Sequence, residues 1–285
     1  MYISRSLNIH LPFERDLLPV SEPFDNSVNM IDANGIRFHY ALEGDVNKPV
    51  LALVNMASAN LTAWEPVLAS LLENFQILRF DIRGTGKSGW GADDEFTFSH
   101  YADDLAAILD ALDISKAFVL GVAYGARTAA QFAIRHENRL TALGLFDVSL
   151  TPPVEQTGQR ALGQKARRML QEAGEPEVLI RKSWRWYLDR DAAFKAHTAH
   201  THEADTSEML GHLKIPVLIA CGRQDMNLAE AERIAQAIPT STFKIMEMTG
   251  HGSTNFRPGL IVQLVNEFLG CNSDVITLSV ARGDL

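Results

Sequence analysis

From Val28 onward the chain alternates short apolar runs with amphipathic stretches. Val50 to Asn55 (VLALVN), Gln76 to Phe80 (QILRF), Ala117 to Leu120 (AFVL), Leu143 to Phe146 (LGLF), Val217 to Cys221 (VLIAC) and Phe243 to Met248 (FKIMEM) are nearly continuous apolar segments. Such runs fit strands of a parallel sheet covered on both faces, because a strand with no side toward water has no polar alternation to show. Ahead of them, Val28 to Ile31 and Ile36 to Leu42 flank Asn34-Gly35, a pair that readily takes the left-handed conformations of a tight hairpin, so the sheet is predicted to open antiparallel. Between strands, Tyr101, Leu105, Ile108, Leu109 and Leu112 recur at helical spacing behind Ser99 as cap, which predicts a helix over Ser99 to Leu112. Strands alternating with helices make a doubly wound α/β sheet. The rhythm stops between Pro152 and Lys214, where helix and loop signals replace strands. This divides the chain into an N-terminal extension (1–27), the first part of an α/β core (28–151), a helical lid (152–213), the second part of the core (214–270) and a tail (271–285).

Composition narrows the class of partner. The 285 residues are 46% apolar and 21% charged, as in an ordinary globular protein. The formal charge of −9 has the wrong sign for binding nucleic-acid phosphate or an anionic membrane. Cys221 and Cys271 form neither a disulfide framework nor a zinc knuckle. No secretory leader or membrane-length apolar run is visible, so a cytoplasmic location is expected. The expected partner is a small-molecule substrate, a homodimer is admissible, and no cofactor is called for.

Three positions stand at strand ends in a telling order. Strand AFVL runs into Gly121-Val122-Ala123-Tyr124-Gly125 and then the helical stretch Arg127 to Arg135, the strand, tight turn and helix of a nucleophile elbow, with Ala123 at its centre. Asp225 follows strand VLIAC and His251 follows strand FKIMEM. Nucleophile position, acid, base is the order in which an α/β-type acyl-transfer site is assembled. Two glycine patterns nearby are decoys. A phosphate loop ending in Gly86-Lys87-Ser88 would need Gly at position 81, which is Asp81, and Gly84-x-Gly86-x-x-Gly89 is not followed by a helix. His197, His200 and His202, with Asp205 near, have metal-like spacing but no strand-end carboxylate or cysteine beside them, so no metal site is assigned. Within the lid, Ser183-Trp184-Arg185-Trp186-Tyr187 offers aromatic lining for an apolar cleft, and Arg160 to Arg190 holds eight basic against four acidic residues. That excess could attract a substrate carboxylate, although solvated helix faces explain it more cheaply.

At this point the chain resembles the α/β-hydrolase superfamily, in particular 3-oxoadipate enol-lactonases, haloperoxidase-like esterases and aminoacrylate hydrolases. LVNMASANLTAW is similar to the family's strand and oxyanion turn, with Asn55 where His is common and Trp64 nine residues later, and FDIRGTGKS (80–88) resembles its turn after the next strand. The resemblance implies a mostly parallel eight-stranded sheet with helices on both faces and a small helical lid. It also implies acyl transfer, in which a group at position 123 attacks a carbonyl, His251 takes the proton, Asp225 orients the imidazole, and the Ala57 and Tyr124 amides hold the oxyanion. Asn55, Met56, Trp184 and Trp186 are the expected substrate-binding residues, and Asp147 is the reserve acid. The expected substrate is a small or medium ester, lactone or related carbonyl compound. A methyl group at 123 cannot attack, which leaves three alternatives. Ala123 is an engineered replacement of serine, or it is native to an enzyme in which His251 works without a covalent step, as the resemblance to aminoacrylate hydrolases implies, or the protein binds a ligand without reaction.

Overall fold

The computed structural model describes residues 29–151, 158–199 and 205–271. Eight strands, β1 (Asn29–Ala33), β2 (Ile36–Glu43), β3 (Val50–Val54), β4 (Gln76–Phe80), β5 (Ala117–Val122), β6 (Leu140–Phe146), β7 (Val217–Gln224) and β8 (Ser241–Gly250), form one sheet in the order β1-β2-β4-β3-β5-β6-β7-β8. β1 pairs antiparallel with β2, and β2 with β4, while every later pairing is parallel. The antiparallel opening follows from Asn34 and Gly35, which take φ of 43° and 78°. The predicted strands are present, extended by one to three residues at several ends because backbone pairing outlasts the apolar run.

Side chains alternate across the sheet with period two. Leu51, Leu53, Phe118, Leu120 and Val122 face one layer, formed by α1 (Glu65–Leu71) and α7 (Pro258–Cys271). Ala52, Val54, Ala117 and Val119 face the other, formed by α2 (Phe98–Ala111), α3 (Tyr124–His136) and α6 (Leu228–Ala237). The helix predicted from Ser99 begins earlier. Thr97 is the cap, with extended backbone and a hydroxyl that accepts from His100 N at 3.1 Å. Phe98 thereby enters the first turn, and its ring packs 4.6 Å from that of Tyr124.

Between β6 and β7 lie α4 (Gln159–Glu172), α5 (Arg190–Thr198) and short 3-10 turns. This insertion is tied to the turns at the carboxyl ends of β3, β4 and β5. Asn60 N donates to Trp184 O at 2.8 Å and Asn60 Nδ2 to Ser183 O at 2.7 Å. Tyr187 Oη donates to Ser58 O at 2.6 Å, Leu188 N to Gly86 O at 2.8 Å, and Tyr124 Oη to Ala196 O. The N-terminal extension and, beyond Cys271, the tail fall outside the described residues.

Candidate active site

Parallel pairing brings the carboxyl ends of β3, β5, β6, β7 and β8 to one edge of the sheet, since Val54 sits opposite Gly121, Val122 opposite Phe146, Phe146 opposite Ala220 and Gln224 opposite Gly250. The turn from β5 to α3 is forced by space. A Cβ on Gly121 would lie 2.2 Å from Gly125 O, and one on Gly125 would lie 2.2 Å from Val54 O. With the helix pressed so close to the strand, the residue between must reverse the chain within one step. Ala123 does so at φ 54° and ψ −110°, a conformation that costs a non-glycine residue about 1 to 3 kcal/mol. Its N–H is held by Phe146 O at 2.8 Å.

Asp225 and His251 meet as the chain order predicts. His251 Nδ1 lies 2.9 Å from Asp225 Oδ2, with the carboxylate buried and the imidazole 32% exposed. The second oxygen of Asp225 accepts from Asn227 N at 2.9 Å and from Gln159 Nε2 at 3.0 Å. Gln159, on the first turn of α4, also accepts from Met226 N at 3.0 Å, so the insertion reaches into the acid's hydrogen-bond shell. Burial works against the His251 imidazolium, but the hydrogen bond and charge of Asp225, with the charge of Asp147, outweigh it and raise the imidazole above its usual range.

Asp147 lies beneath this pair, fully buried, with φ of 53°. Its carboxylate accepts from Ser253 N at 2.6 Å and from Gly222 N at 3.3 Å, tying the turn after β8 to β7. Burial, then the charge of Asp225, pushes it from 3.8 up to about 6. Ligand atoms of Asp147, Cys221 and Asp225 fall within 4.8 Å of one another. Both carboxylates already accept hydrogen bonds from the protein, and burial followed by the two carboxylate charges pushes the Cys221 thiol well up. That set therefore reads as a hydrogen-bonded acid pair beside an inert thiol.

On the other side of the elbow, the turn after β3 carries Ala57, whose N–H meets no acceptor among the described residues. Tyr124 opens α3, where the N–H lies outside the helix's own ladder. The Asn55 side chain, expected to bind substrate, is instead engaged within the protein. It is fully buried, donating to Phe80 O at 2.8 Å and accepting from Trp64 Nε1 at 2.8 Å, so it braces the turn from behind. Met56 reaches the other flank, where Asn255 Nδ2 lies 3.5 Å from its Sδ.

A family model described as alpha/beta hydrolase fold matches residues 49–200. The chain belongs to the α/β-hydrolase fold family. Among its relatives in that family, a protein of Caulobacter sp. (strain K31), provisionally named a carbamate hydrolase (RutD), is 26% identical over 73% of this chain and 85% of its own. The 3-oxoadipate enol-lactonase 2 of Acinetobacter baylyi is 23% identical over 76% of this chain and 87% of its own. An enol-lactonase structure from Burkholderia xenovorans LB400 superposes with a TM-score of 0.69 at 23% identity, covering 85% of this chain and 100% of that one. The likeness in structure establishes the α/β-hydrolase architecture.

Other sequence expectations resolve differently. Trp184 is buried against Ala59, Ala63 and Met56 and lines a cleft to which Ala123, Asp225 and His251 do not contribute, while Trp186 is half-buried. The glycine-rich turn 81–88 encloses a carboxyl group of its own. Asp81 accepts from Leu61 N at 2.7 Å and Lys87 N at 2.9 Å, and a Cβ on Gly86 would lie 1.9 Å from Asp81 Oδ2. His197 stacks on Tyr124 with ring centroids 6.3 Å apart, whereas His200 and His202 fall outside the described residues. Gln159 and Ser253 have no local signal in the sequence, because each acts through a backbone or amide contact with a residue remote in the chain.

Proposed function

We propose that this chain hydrolyses small carbonyl compounds, carbamates, esters or lactones, with His251 activating water directly. What carries the reading is the intact hydrogen bond from His251 to Asp225 beside an elbow whose apex is a methyl group. With Nδ1 engaged by Asp225, the imidazole has Nε2 left to accept a proton from water as the water oxygen adds to the carbonyl carbon. The Ala57 and Tyr124 amides would carry the charge that forms on the carbonyl oxygen. The proton then passes from His251 to the departing oxygen or nitrogen, and Asp225 steadies the imidazolium between the two steps. The names of the relatives support this substrate class.

A second reading is covalent catalysis with serine at 123, favoured by the glycines at 121 and 125, whose close approach holds the apex in a strained position suited to presenting a nucleophile. Kinetics on a panel of p-nitrophenyl esters and carbamates separates the two. Water activation predicts steady turnover without a burst by the protein as it stands, and a loss of about 10²-fold or more in His251→Ala. Activity untouched by that change overturns it. The covalent reading predicts that Ala123→Ser gains a burst and an acyl adduct by mass spectrometry.

A further inference from the structure

Of the 14 residues of α4, only Ala166 and Leu170 are buried, yet this helix of the insertion touches the segments that carry both the acid and the base. At its start, Gln159 spans the turn after β7. Its Nε2 donates to Asp225 Oδ1 at 3.0 Å, and its Oε1 accepts from Met226 N at 3.0 Å. A carboxylate only accepts and a backbone N–H only donates, so the amide fits one way round. One helical turn further on, α4 lies against the end of β8. A Cβ on Gly250, the residue before His251, would be 3.1 Å from Gly163 Cα and 2.8 Å from Phe256 Cζ, and Ala166 and Leu170 pack with Phe256 and Met248. Asp225 Oδ1 also accepts from Asn227 N at 2.9 Å, but that amide belongs to the same turn and moves with it. Gln159 comes from 66 residues away and ties the carboxylate to the helix that flanks His251.

We propose that Gln159 is a positioning residue, whose clamp on Asp225 Oδ1 aims Oδ2 at His251 and keeps the neutral imidazole in the tautomer with its proton on Nδ1. The tautomer of an imidazole is set by the hydrogen bonds its nitrogens make, and this is the form in which Nε2 can take a proton. The insertion thus completes the acid–base pair. The kinetic consequence rests on His251 acting as the base, whereas the geometric one does not.

The test compares the whole protein with Gln159→Met, which keeps the side chain's length and removes both polar contacts. Long-range proton–nitrogen spectra of the imidazoles read tautomer and titration without substrate, the His251 signals being identified by their loss in His251→Ala. The parent is expected to show His251 as the Nδ1–H form when neutral, and Gln159→Met to populate the Nε2–H form. The charged groups that face His251 are Asp225 and Asp147, and the Asp225 hydrogen bond helps raise its titration midpoint, so that midpoint should fall in Gln159→Met. The variant's kcat/KM for p-nitrophenyl acetate should drop about tenfold, as for loss of one hydrogen bond to a charged group. Arg139→Ala, at the amino end of β6 and the opposite edge of the sheet, removes hydrogen bonds to Ser115 O and Asp110 and should leave the tautomer as in the parent, which separates lost aim from lost stability. A His251 tautomer and midpoint unchanged in Gln159→Met overturn the proposal even where activity falls, and so does a change shared by Arg139→Ala. A tautomer shift with kcat/KM unchanged upholds the clamp and counts against His251 as the base, so failure of the hydrolase reading and failure of this one are told apart.

Discussion

Ala123 occupies a backbone conformation that glycine adopts freely and alanine does not, at φ 54° and ψ −110°. Ala123→Gly is accordingly expected to stabilise the fold by about 1 kcal/mol, net of the extra freedom glycine has when unfolded, and urea denaturation checks it. His251 has to be neutral to accept a proton. Because Asp225 and Asp147 outweigh burial and raise its pKa, kcat/KM should fall as pH drops through a value above the ordinary imidazole one of about 6.5, and Asp225→Asn should move that limb toward acid. Asp147 works in the opposite sense on stability. Its carboxyl is raised in the fold from 3.8 to about 6, so the folded state prefers it protonated. The cost of ionising it is absent below the unfolded value, grows between the two, and is complete above about pH 6, on the order of 3 kcal/mol. Asp147→Asn should therefore gain stability relative to the parent between pH 4 and pH 7, whatever constant amount it loses from one fewer acceptor for Ser253 and Gly222. Paired urea titrations across that range would show a difference independent of pH if the assignment is wrong.

The elements bearing these residues are held by contacts with little tolerance. α3 approaches β3 so closely that a methyl on Gly125 would meet the carbonyl oxygens of Val54 and Asn55 at 2.2 and 2.6 Å. Both atoms are backbone, which cannot yield as the end of a flexible side chain can, so Gly125→Ala should cost about 3 kcal/mol or more and displace the elbow, lowering activity along with melting temperature. α2 is fixed at its start by the Thr97 hydroxyl. Thr97→Ala should cost about 1 kcal/mol, and Ser99→Ala markedly less, which calorimetry of the two variants distinguishes.

At the scale of the molecule, a buried arginine joins parts of the chain far apart in sequence. Arg83, in the turn after β4, makes two hydrogen bonds to Asp104 of α2 at 2.7 and 3.0 Å, while Asn34 of the β1–β2 hairpin donates to the same carboxylate at 2.7 Å. Arg83→Met would leave Asp104 buried without its charged partner and is expected to cost about 3 to 5 kcal/mol in chemical denaturation. The insertion is joined to the strand-end turns by hydrogen bonds such as Tyr187 Oη to Ser58 O at 2.6 Å. Because Ser58 follows Ala57, Tyr187→Phe should alter KM for ester substrates more than it alters the global melting temperature.

The sheet, its antiparallel opening and the positions of Ala123, Asp225 and His251 at strand ends were legible in the chain alone, because apolar run length, Asn34-Gly35 and glycine spacing act within a few residues. The Asp225 to His251 bond was legible only as an order of residues, and parallel pairing of β7 with β8 turned that order into a distance. The helix start at Thr97 in place of Ser99 was decided by the packing of Phe98 on Tyr124, a contact between separate elements. The contacts of Asn55, Asp147, Gln159 and Trp184 were likewise decided by tertiary structure. What each side chain does depends on which distant backbone or carboxylate lies within about 3 Å of it, and no local pattern encodes that.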